Sequence, residues 1–195
     1  MKLVYRITLV IAVCASIVGT AGANETYKFE QANSTVGFRV HQFLGATKGK
    51  FTQFSGTIDV DRDHPENSSV SVRIQVSSID TGIVKRDNHL KSAEFFNVAK
   101  FPEITFKSRS VKRTGSQSGD ILGDFTMHGV TKPIMLHVQL VSPLAGETKQ
   151  TRWKVTTESL QRRDFGLLFG ATTEAVSGIG QEVSINIEIE ALRAR

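Results

Sequence analysis

The sequence predicts an all-β protein of roughly eight or nine antiparallel strands, for which a closed barrel is favoured over two packed sheets. Apolar and polar residues alternate with a period of two in several segments, most clearly in Val70–Val76 and Val183–Ile189, which is typical of strands with one buried face. The segments between strands, such as Asp63–Ser69, are short and rich in turn-forming residues, which favours antiparallel hairpins. Only two long segments, 78–102 and 161–180, break the alternation. Repeated helical crossovers of a parallel sheet are therefore excluded.

The predicted strands follow one another along almost the whole chain. The clearest, in order, are Val36–Val40, Val70–Val76, Ile134–Leu140 and Val183–Ile189. The weaker candidates are Thr26–Glu30, Lys48–Asp61, Glu103–Lys112, Asp120–Met127 and Arg152–Leu160. Strands with a single apolar face must hide it between two packed sheets or inside one closed sheet. The length of Lys48–Asp61 favours a closed barrel, which its side chains can fill or which can hold one small ligand.

The first 23 residues have the features of a secretory signal peptide. Lys2 and Arg6 provide a positive start, Leu9–Val18 is apolar, and Ala21–Ala23 is a small-residue cleavage pattern. The apolar run is too short for a transmembrane helix, and no later segment approaches spanning length. We therefore expect a single exported domain, residues 24–195, without a transmembrane segment, in the periplasm or secreted from the cell.

The composition of the predicted mature chain excludes several functions. Removal of Lys2 and Arg6 lowers the formal net charge from +5 to +3, which is too small to indicate a nucleic-acid partner. Cys14, the one cysteine, is removed with the signal peptide, so neither a thiol nucleophile nor a disulfide is expected. The chain has no G-x-S-x-G motif, and Gly45–Lys50 and Gly178–Val183 lack the spacing of phosphate-binding loops. We expect no bound cofactor.

The most enzyme-like group lies in the first non-alternating segment, where Arg86, Asp87 and His89 fall within four residues. Asp87 and His89 have the chemistry of a general acid–base pair, which leaves a hydrolase or isomerase as an alternative function. A structural interpretation is favoured, in which Arg86 and Asp87 form a charge-assisted pair that pins a loop and Asp87 caps a short helix. The five histidines show neither i, i+2 nor i, i+4 spacing, so no metal site is expected.

Phenylalanine supplies most of the aromatic residues: the chain has 12 Phe, one Trp and two Tyr. Several lie in the two non-alternating segments, namely Phe95, Phe96, Phe101, Phe165 and Phe169. A simple barrel core would concentrate aromatic residues in the strands, so this placement favours an apolar cap over one barrel end. A barrel filled by its own side chains is the other alternative, and it would make the protein a structural or stress-related interaction module.

Four stretches resemble motifs of the YceI-like family of exported bacterial proteins. They are "STVGFRVHQFLGATKGKFTQFSGTI" (Ser34–Ile58), "RDNHLKSAEFFNVAKFPEITF" (Arg86–Phe106), "GDFTMHGVTKPIML" (Gly123–Leu136) and "RRDFGL" (Arg162–Leu167). The third has Phe125 where the family usually has Leu. The match spans nearly the whole predicted mature chain, in order and with suitable spacing.

The resemblance implies a lipocalin-like fold, an extended antiparallel β-barrel around an elongated apolar cavity. Together with the helix and the apolar cap expected from the residues, it predicts an eight-stranded barrel with a short helix and loop as a cap. It also implies a ligand of the long-chain amphiphile class, such as a polyisoprenoid or a quinone, and no catalytic activity. Homodimers occur within the family. The function expected from the resemblance is that of a periplasmic binding or carrier protein for a lipid of this kind.

The expected ligand contacts follow if the apolar face of the strands points inward. The candidates for the apolar lining are Phe38, Val40, Phe54, Ile58, Val72, Ile74, Phe95, Phe96, Phe106, Phe125, Leu136 and Phe165. The candidates for a polar rim near a ligand head group are Arg86, Asp87, His89, His128 and Arg163. No catalytic residue and no metal ligand is assigned.

Overall fold

The structure, a computed structural model, describes most of the chain after the predicted signal peptide. The described residues are 25–42, 45–142, 149–158, 160–169 and 178–194. The predicted signal peptide, residues 1–23, lies outside them. The strands are β1 (Glu25–Phe29), β2 (Thr35–Gln42), β3 (Gly45–Phe51), β4 (Phe54–Val60), β5 (Ser69–Gln75), β6 (Ile79–Asp80), β7 (Glu103–Arg113), β8 (Ser118–Met127), β9 (Val130–Ser142), β10 (Gln150–Thr157), β11 (Leu160–Gln161) and β12 (Ile179–Arg193). The α-helix is α1 (Val84–Lys91), and short 3₁₀ turns occupy Gln31–Asn33, Pro65–Asn67, Val76–Ser78 and Arg162–Phe165.

Eight of these strands close into an antiparallel barrel. Their order around the barrel is β1, β4, β5, β7, β8, β9, β10 and β12. The last strand pairs with the first through Tyr27↔Arg193 and two further residue pairs, which closes the sheet. The predicted eight-stranded antiparallel barrel with one short helix is therefore confirmed.

The barrel is lengthened at one end by β2 and β3. Strand β2 continues the direction of β1 along β12, where Val36 pairs with Ile187, and β3 pairs with β2. The predicted single strand Lys48–Asp61 is interrupted, because β3 ends at Phe51 and β4 starts at Phe54. At the break, the Thr52 amide donates to the Ser78 carbonyl at 3.1 Å, and the Gln53 carbonyl accepts from the Gln75 amide at 2.9 Å. The turn after β5 thus satisfies backbone groups that would otherwise need strand partners.

The two ends of the barrel are built differently. The end we call the hairpin end carries the β4–β5 connection, residues 61–68, and the β7–β8 turn, residues 114–117. The opposite end, called the helix end, carries α1, the β8–β9 turn and residues 162–169. In the β8–β9 turn His128 and Gly129 both have positive φ, 51° and 77°, which is the backbone twist that two-residue hairpin turns prefer.

Helix α1 corrects two details predicted from the sequence. Its N-cap is Ile83, without a side-chain capping bond, and Asp87 lies inside the first turn. The Asp87 carboxylate accepts hydrogen bonds from the amide, at 3.0 Å, and the hydroxyl of Thr81. Arg86 also binds Thr81, donating from Nε to the hydroxyl at 2.7 Å and from Nη2 to the carbonyl at 2.8 Å. Among the described residues Arg86 and Asp87 therefore fix the preceding turn through Thr81, and not through an ion pair with each other.

The core lies along the barrel axis, where the inward residues of the strands meet. In β8 every second residue is buried, including Ile121, Gly123 and Phe125. Gly123 allows close packing, because a Cβ atom there would overlap the ring of Phe106 on the neighbouring strand β7. The alternation in the sequence therefore corresponds to real inward and outward faces.

Candidate functional site

The barrel interior contains two cavities that meet in the middle. The hairpin-end cavity has a volume of about 340 Å³ and the helix-end cavity a volume of about 530 Å³. Among the described residues Val36, Ile74 and Ile187 line both. We call these three residues the waist.

The waist draws on three different strands. Val36 on β2 and Ile187 on β12 are directly paired across the sheet. Ile74 comes from β5 and is paired with Phe54 on one side and Ile104 on the other. Val36 and Ile74 are buried. Three branched apolar side chains therefore lie where the two apolar spaces adjoin.

The hairpin-end cavity has mostly aliphatic walls and a polar mouth. Its walls include Leu136, Val138 and Trp153, and its mouth includes Arg62 and Arg113. The indole N–H of Trp153 donates to the hydroxyl of Thr151 at 2.9 Å. Because indole has no other polar atom, Trp153 offers the cavity an apolar surface.

The helix-end cavity has aromatic walls. The Phe38 and Phe51 rings lie 5.6 Å apart, centroid to centroid, and Phe95 lies 5.1 Å from Phe96. Phe169 stacks on Phe95 at 4.5 Å. Aromatic rings in these tilted, edge and offset arrangements attract one another beyond the area that they bury. They give this cavity a stiff wall without polar atoms.

Arg162 is the most deeply buried cation of the helix-end cavity, with 2% of its surface exposed. Its Nε donates to the Gly180 carbonyl at 3.1 Å and its Nη1 to the Leu167 carbonyl at 2.7 Å. The guanidinium also lies over the Phe169 ring, 5.0 Å from the centroid. Hydrogen bonds and a cation–π contact thus offset the cost of burying this charge.

Nine of the twelve predicted lining residues line one of the two cavities. Phe38, Val40, Phe95, Phe96 and Phe125 line the helix-end cavity, Ile58, Val72 and Leu136 the hairpin-end cavity, and Ile74 both. Phe54, Phe106 and Phe165 line neither cavity and are buried in packing contacts instead. Phe165, for example, packs edge-on against Phe125 at 5.4 Å. Contact of any of the twelve with a ligand stays a prediction.

The predicted polar rim is only partly brought together. Arg86 and His89 line the helix-end cavity, whereas Asp87, His128 and Arg163 do not. His128 donates from Nδ1 to the Phe165 carbonyl at 3.1 Å, so it joins two turns. Arg163 is exposed.

Sequence reasoning missed Arg162, Phe51 and the Val36–Ile187 pair as cavity residues. The sequence places Arg162 and Arg163 side by side, and only the 3₁₀ turn Arg162–Phe165 decides which of them points inward. Phe51 and Val36 do belong to the alternating pattern of the first strands. That pattern could have identified both as inward-facing.

Asp87 and His89, the candidate acid–base pair, have different hydrogen-bond and charge partners in the structure. Asp87 is buried and hydrogen-bonded to Thr81. The carboxylate near His89 is that of Glu94, with 3.8 Å between His89 Nε2 and Glu94 Oε2.

Over the described part of the chain, His, Asp and Glu form no group of three that could hold a metal ion. Within the same part, no helix is long and apolar enough to cross a membrane.

A charged network lies beside the seam between β1 and β12. The Glu25 carboxylate accepts hydrogen bonds from the Tyr27 hydroxyl at 2.7 Å and from Arg62 at 2.8 Å, and Arg193 lies 3.1 Å away. Burial opposes ionisation of Glu25, but these hydrogen bonds and positive charges outweigh it and lower the pKa of Glu25. Burial and the bond to Glu25 raise the pKa of Tyr27. The network therefore favours an ionised Glu25 and a neutral Tyr27.

Comparisons with known proteins agree on one family. The model of the YceI-like domain matches residues 27–191. Protein YceI of Salmonella arizonae is 37% identical over 185 residues, covering 91% of each chain. The crystal structure of BcnA from Burkholderia cenocepacia has a TM-score of 0.75 at 21% identity, covering 83% of this chain and 98% of that one. A polyisoprenoid binding domain from Saccharophagus degradans has a TM-score of 0.65 at 18% identity, covering 86% and 98%. The last two likenesses concern the fold, whereas the family model and the Salmonella relative show that this chain belongs to the YceI-like domain family.

Proposed function

We propose that this protein is a binding or carrier protein for a long-chain amphiphile, such as a polyisoprenoid, a quinone or a similar lipid. The observation that carries the proposal is the pair of apolar cavities that meet at the waist of Val36, Ile74 and Ile187. A chain-like ligand has the shape that two aligned cavities accommodate. The volumes fall within the range of about 300–1,000 Å³ that is usual for small-molecule sites.

Affinity would come chiefly from apolar burial. Each Å² of apolar surface removed from water contributes roughly 25 cal/mol, before the entropy cost of holding the ligand is subtracted. The polar groups at the two mouths, Arg62 and Arg113 at one and Arg86 and His89 at the other, would orient a head group. The polyisoprenoid binding domain from Saccharophagus degradans, which shares the fold, supports this class of ligand.

Binding is favoured over catalysis by the positions of Asp87 and His89. The Oδ1 atom of Asp87 accepts two hydrogen bonds from Thr81, and Asp87 does not line the cavity that His89 lines. We propose that Asp87 and Arg86 position the turn at the cavity mouth.

The predicted signal peptide and the family both support a periplasmic location. Homodimerisation, expected from the resemblance, stays a prediction that sedimentation analysis would test.

The proposal is tested by identifying what the purified protein holds. Organic extraction followed by mass spectrometry should recover a long-chain lipid, and the delipidated protein should take up a fluorescent apolar probe. Wild-type protein and the His89→Ala variant should show equally little turnover of ester, amide and phosphate substrates. An empty extract together with no probe uptake would contradict the proposal, and turnover lost in His89→Ala would favour the hydrolase.

A further inference from the structure

The helix end exposes apolar side chains around the mouth of its cavity. Val84 is 75% exposed, Ile83 52% and Leu168 50%. Ile83 lines the cavity, and Leu168 lies between two lining residues, Leu167 and Phe169. A ring contact of 6.1 Å between His89 of α1 and Phe169 joins the two segments. These apolar side chains therefore belong to one surface at the cavity opening.

Positive charge surrounds this apolar surface. Lys85 and Arg86 line the same cavity, and Lys91 ends α1. The carboxylate of α1, on Asp87, is buried and bonded to Thr81. Two exposed carboxylates lie nearby: Asp164 forms an ion pair of 3.0 Å with Lys132, and Glu94 lies 3.8 Å from His89.

The opposite mouth lacks this combination among the residues that the structure describes there. Its rim is formed by Asp61, Arg62, Pro65, Ser68 and Arg113 and by the small polar turn 115–119. Arg113 is engaged with its own turn, donating from Nε to the Gly115 carbonyl at 2.8 Å. Val141 and Leu192 are also exposed toward the hairpin end, but neither lines its cavity, whereas the exposed Ile83 lines the helix-end cavity.

We propose that the helix end docks onto an anionic lipid bilayer surface. Val84, Ile83 and Leu168 would enter the boundary between head groups and acyl chains, while Lys85 and Lys91 contact lipid phosphates. Apolar side chains beside Lys and Arg are the pattern of interfacial membrane-binding segments, and each basic residue gains attraction to an anionic leaflet. If the proposed function holds, a lipid ligand passes between bilayer and cavity without crossing water. Docking itself requires no bound ligand.

The test is co-sedimentation with lipid vesicles. Vesicles of phosphatidylcholine with phosphatidylglycerol should bind the purified protein, pure phosphatidylcholine vesicles should bind it more weakly, and added salt should reduce the binding. Val84→Asp should weaken binding roughly tenfold or more, because it removes one buried apolar side chain and adds a repelled charge. Asp in the first turn suits the helix dipole, so the variant should fold.

The matched control is Val141→Asp, which alters an exposed apolar residue of β9 (56% exposed) at the hairpin end. It should bind anionic vesicles as the wild type does. Equal binding by the two variants, or no binding by the wild type, would overturn the docking proposal. The proposal would also be overturned if a second copy of the chain covered the helix end. The protein would then form dimers that do not bind vesicles and that Val84→Asp dissociates. Probe uptake from solution is measured separately, so a failure of docking is distinguishable from a failure of ligand binding.

Discussion

Val36 and Ile187 are paired across β2 and β12 at the one level of the barrel where, among the described residues, side chains line both cavities. For the proposed chain-like ligand, these two side chains and Ile74, which also lines both cavities, lie where the chain would pass from one cavity into the other. A long chain must pass between them, whereas a short chain fits on one side. The waist is therefore the position at which ligand length can be selected.

Narrowing the waist should penalise long ligands selectively. We expect Ile187→Phe to weaken binding of a long prenol roughly tenfold or more, because the apolar contacts beyond the waist are lost, and to leave a short prenol nearly unaffected. Displacement of a fluorescent apolar probe measures both affinities. Ile185→Phe is the control, because Ile185 lies on the same strand but lines the helix-end cavity and not the hairpin-end cavity. A loss of the same size for short and long prenols in Ile187→Phe would show that the waist does not discriminate.

The buried Arg162 should contribute to stability much more than its neighbour Arg163. Arg162→Gln removes charged donors from the Gly180 and Leu167 carbonyls, which should lower the free energy of unfolding by about 1.5–3 kcal/mol. Arg163→Gln, at an exposed site, should change it by less than about 0.5 kcal/mol. Urea denaturation of both variants measures the difference, and equal midpoints would contradict it.

Gly123 should not tolerate a side chain. An added Cβ would overlap the Phe106 ring and lie 2.6 Å from the Lys107 carbonyl oxygen, which is backbone and cannot move aside. Gly123→Ala should therefore destabilise the barrel by about 1–3 kcal/mol. In Gly115→Ala the nearest atom is the Ser118 hydroxyl at 2.6 Å, a side-chain end that can rotate, so this variant should unfold close to the wild-type midpoint. Thermal melting compares the two.

Acid should destabilise the protein through Glu25. The pKa of Glu25 is lower in the folded chain than its ordinary value, so folding favours the ionised form. The resulting stability is present above the ordinary glutamate pKa and is lost as the pH falls through the lowered pKa. Glu25→Gln should therefore melt at a lower temperature than the wild type at neutral pH, with a smaller difference in acid.

Glu66→Gln provides the control for Glu25. Glu66 has an exposed side chain, whose contact is with the equally exposed His64 at 3.3 Å. Exposed pairs of this kind contribute little to stability. The melting temperature of Glu66→Gln should follow that of the wild type across the same pH range. If the difference in melting temperature between the wild type and Glu25→Gln does not shrink in acid, the assigned role of Glu25 is contradicted.

The longer strands were predictable from the sequence because of their period-two patterns, whereas the two-residue strands β6 and β11 have none. The break between β3 and β4 was not predictable, because it depends on the Gln75 and Ser78 backbone groups that meet it from a distant part of the chain. Alternation also identifies inward side chains without showing which of them leave space. Phe125 lines a cavity, whereas Phe106, its partner across β7 and β8, packs over Gly123 and lines neither. Packing of that kind depends on the size of residues that meet only in the folded barrel.

The seam that closes the barrel joins the beginning of the chain to its end, since Tyr27, Lys28 and Phe29 pair with Arg193, Leu192 and Ala191. A chain that is still being synthesised lacks β12, the strand that pairs with β1, β2 and β10. The barrel can therefore close only after β12 has been made. Contacts so distant in sequence also form slowly. Closure through β1 and β12 makes the fold cooperative over a long stretch of sequence, because loss of either strand opens the barrel at the seam.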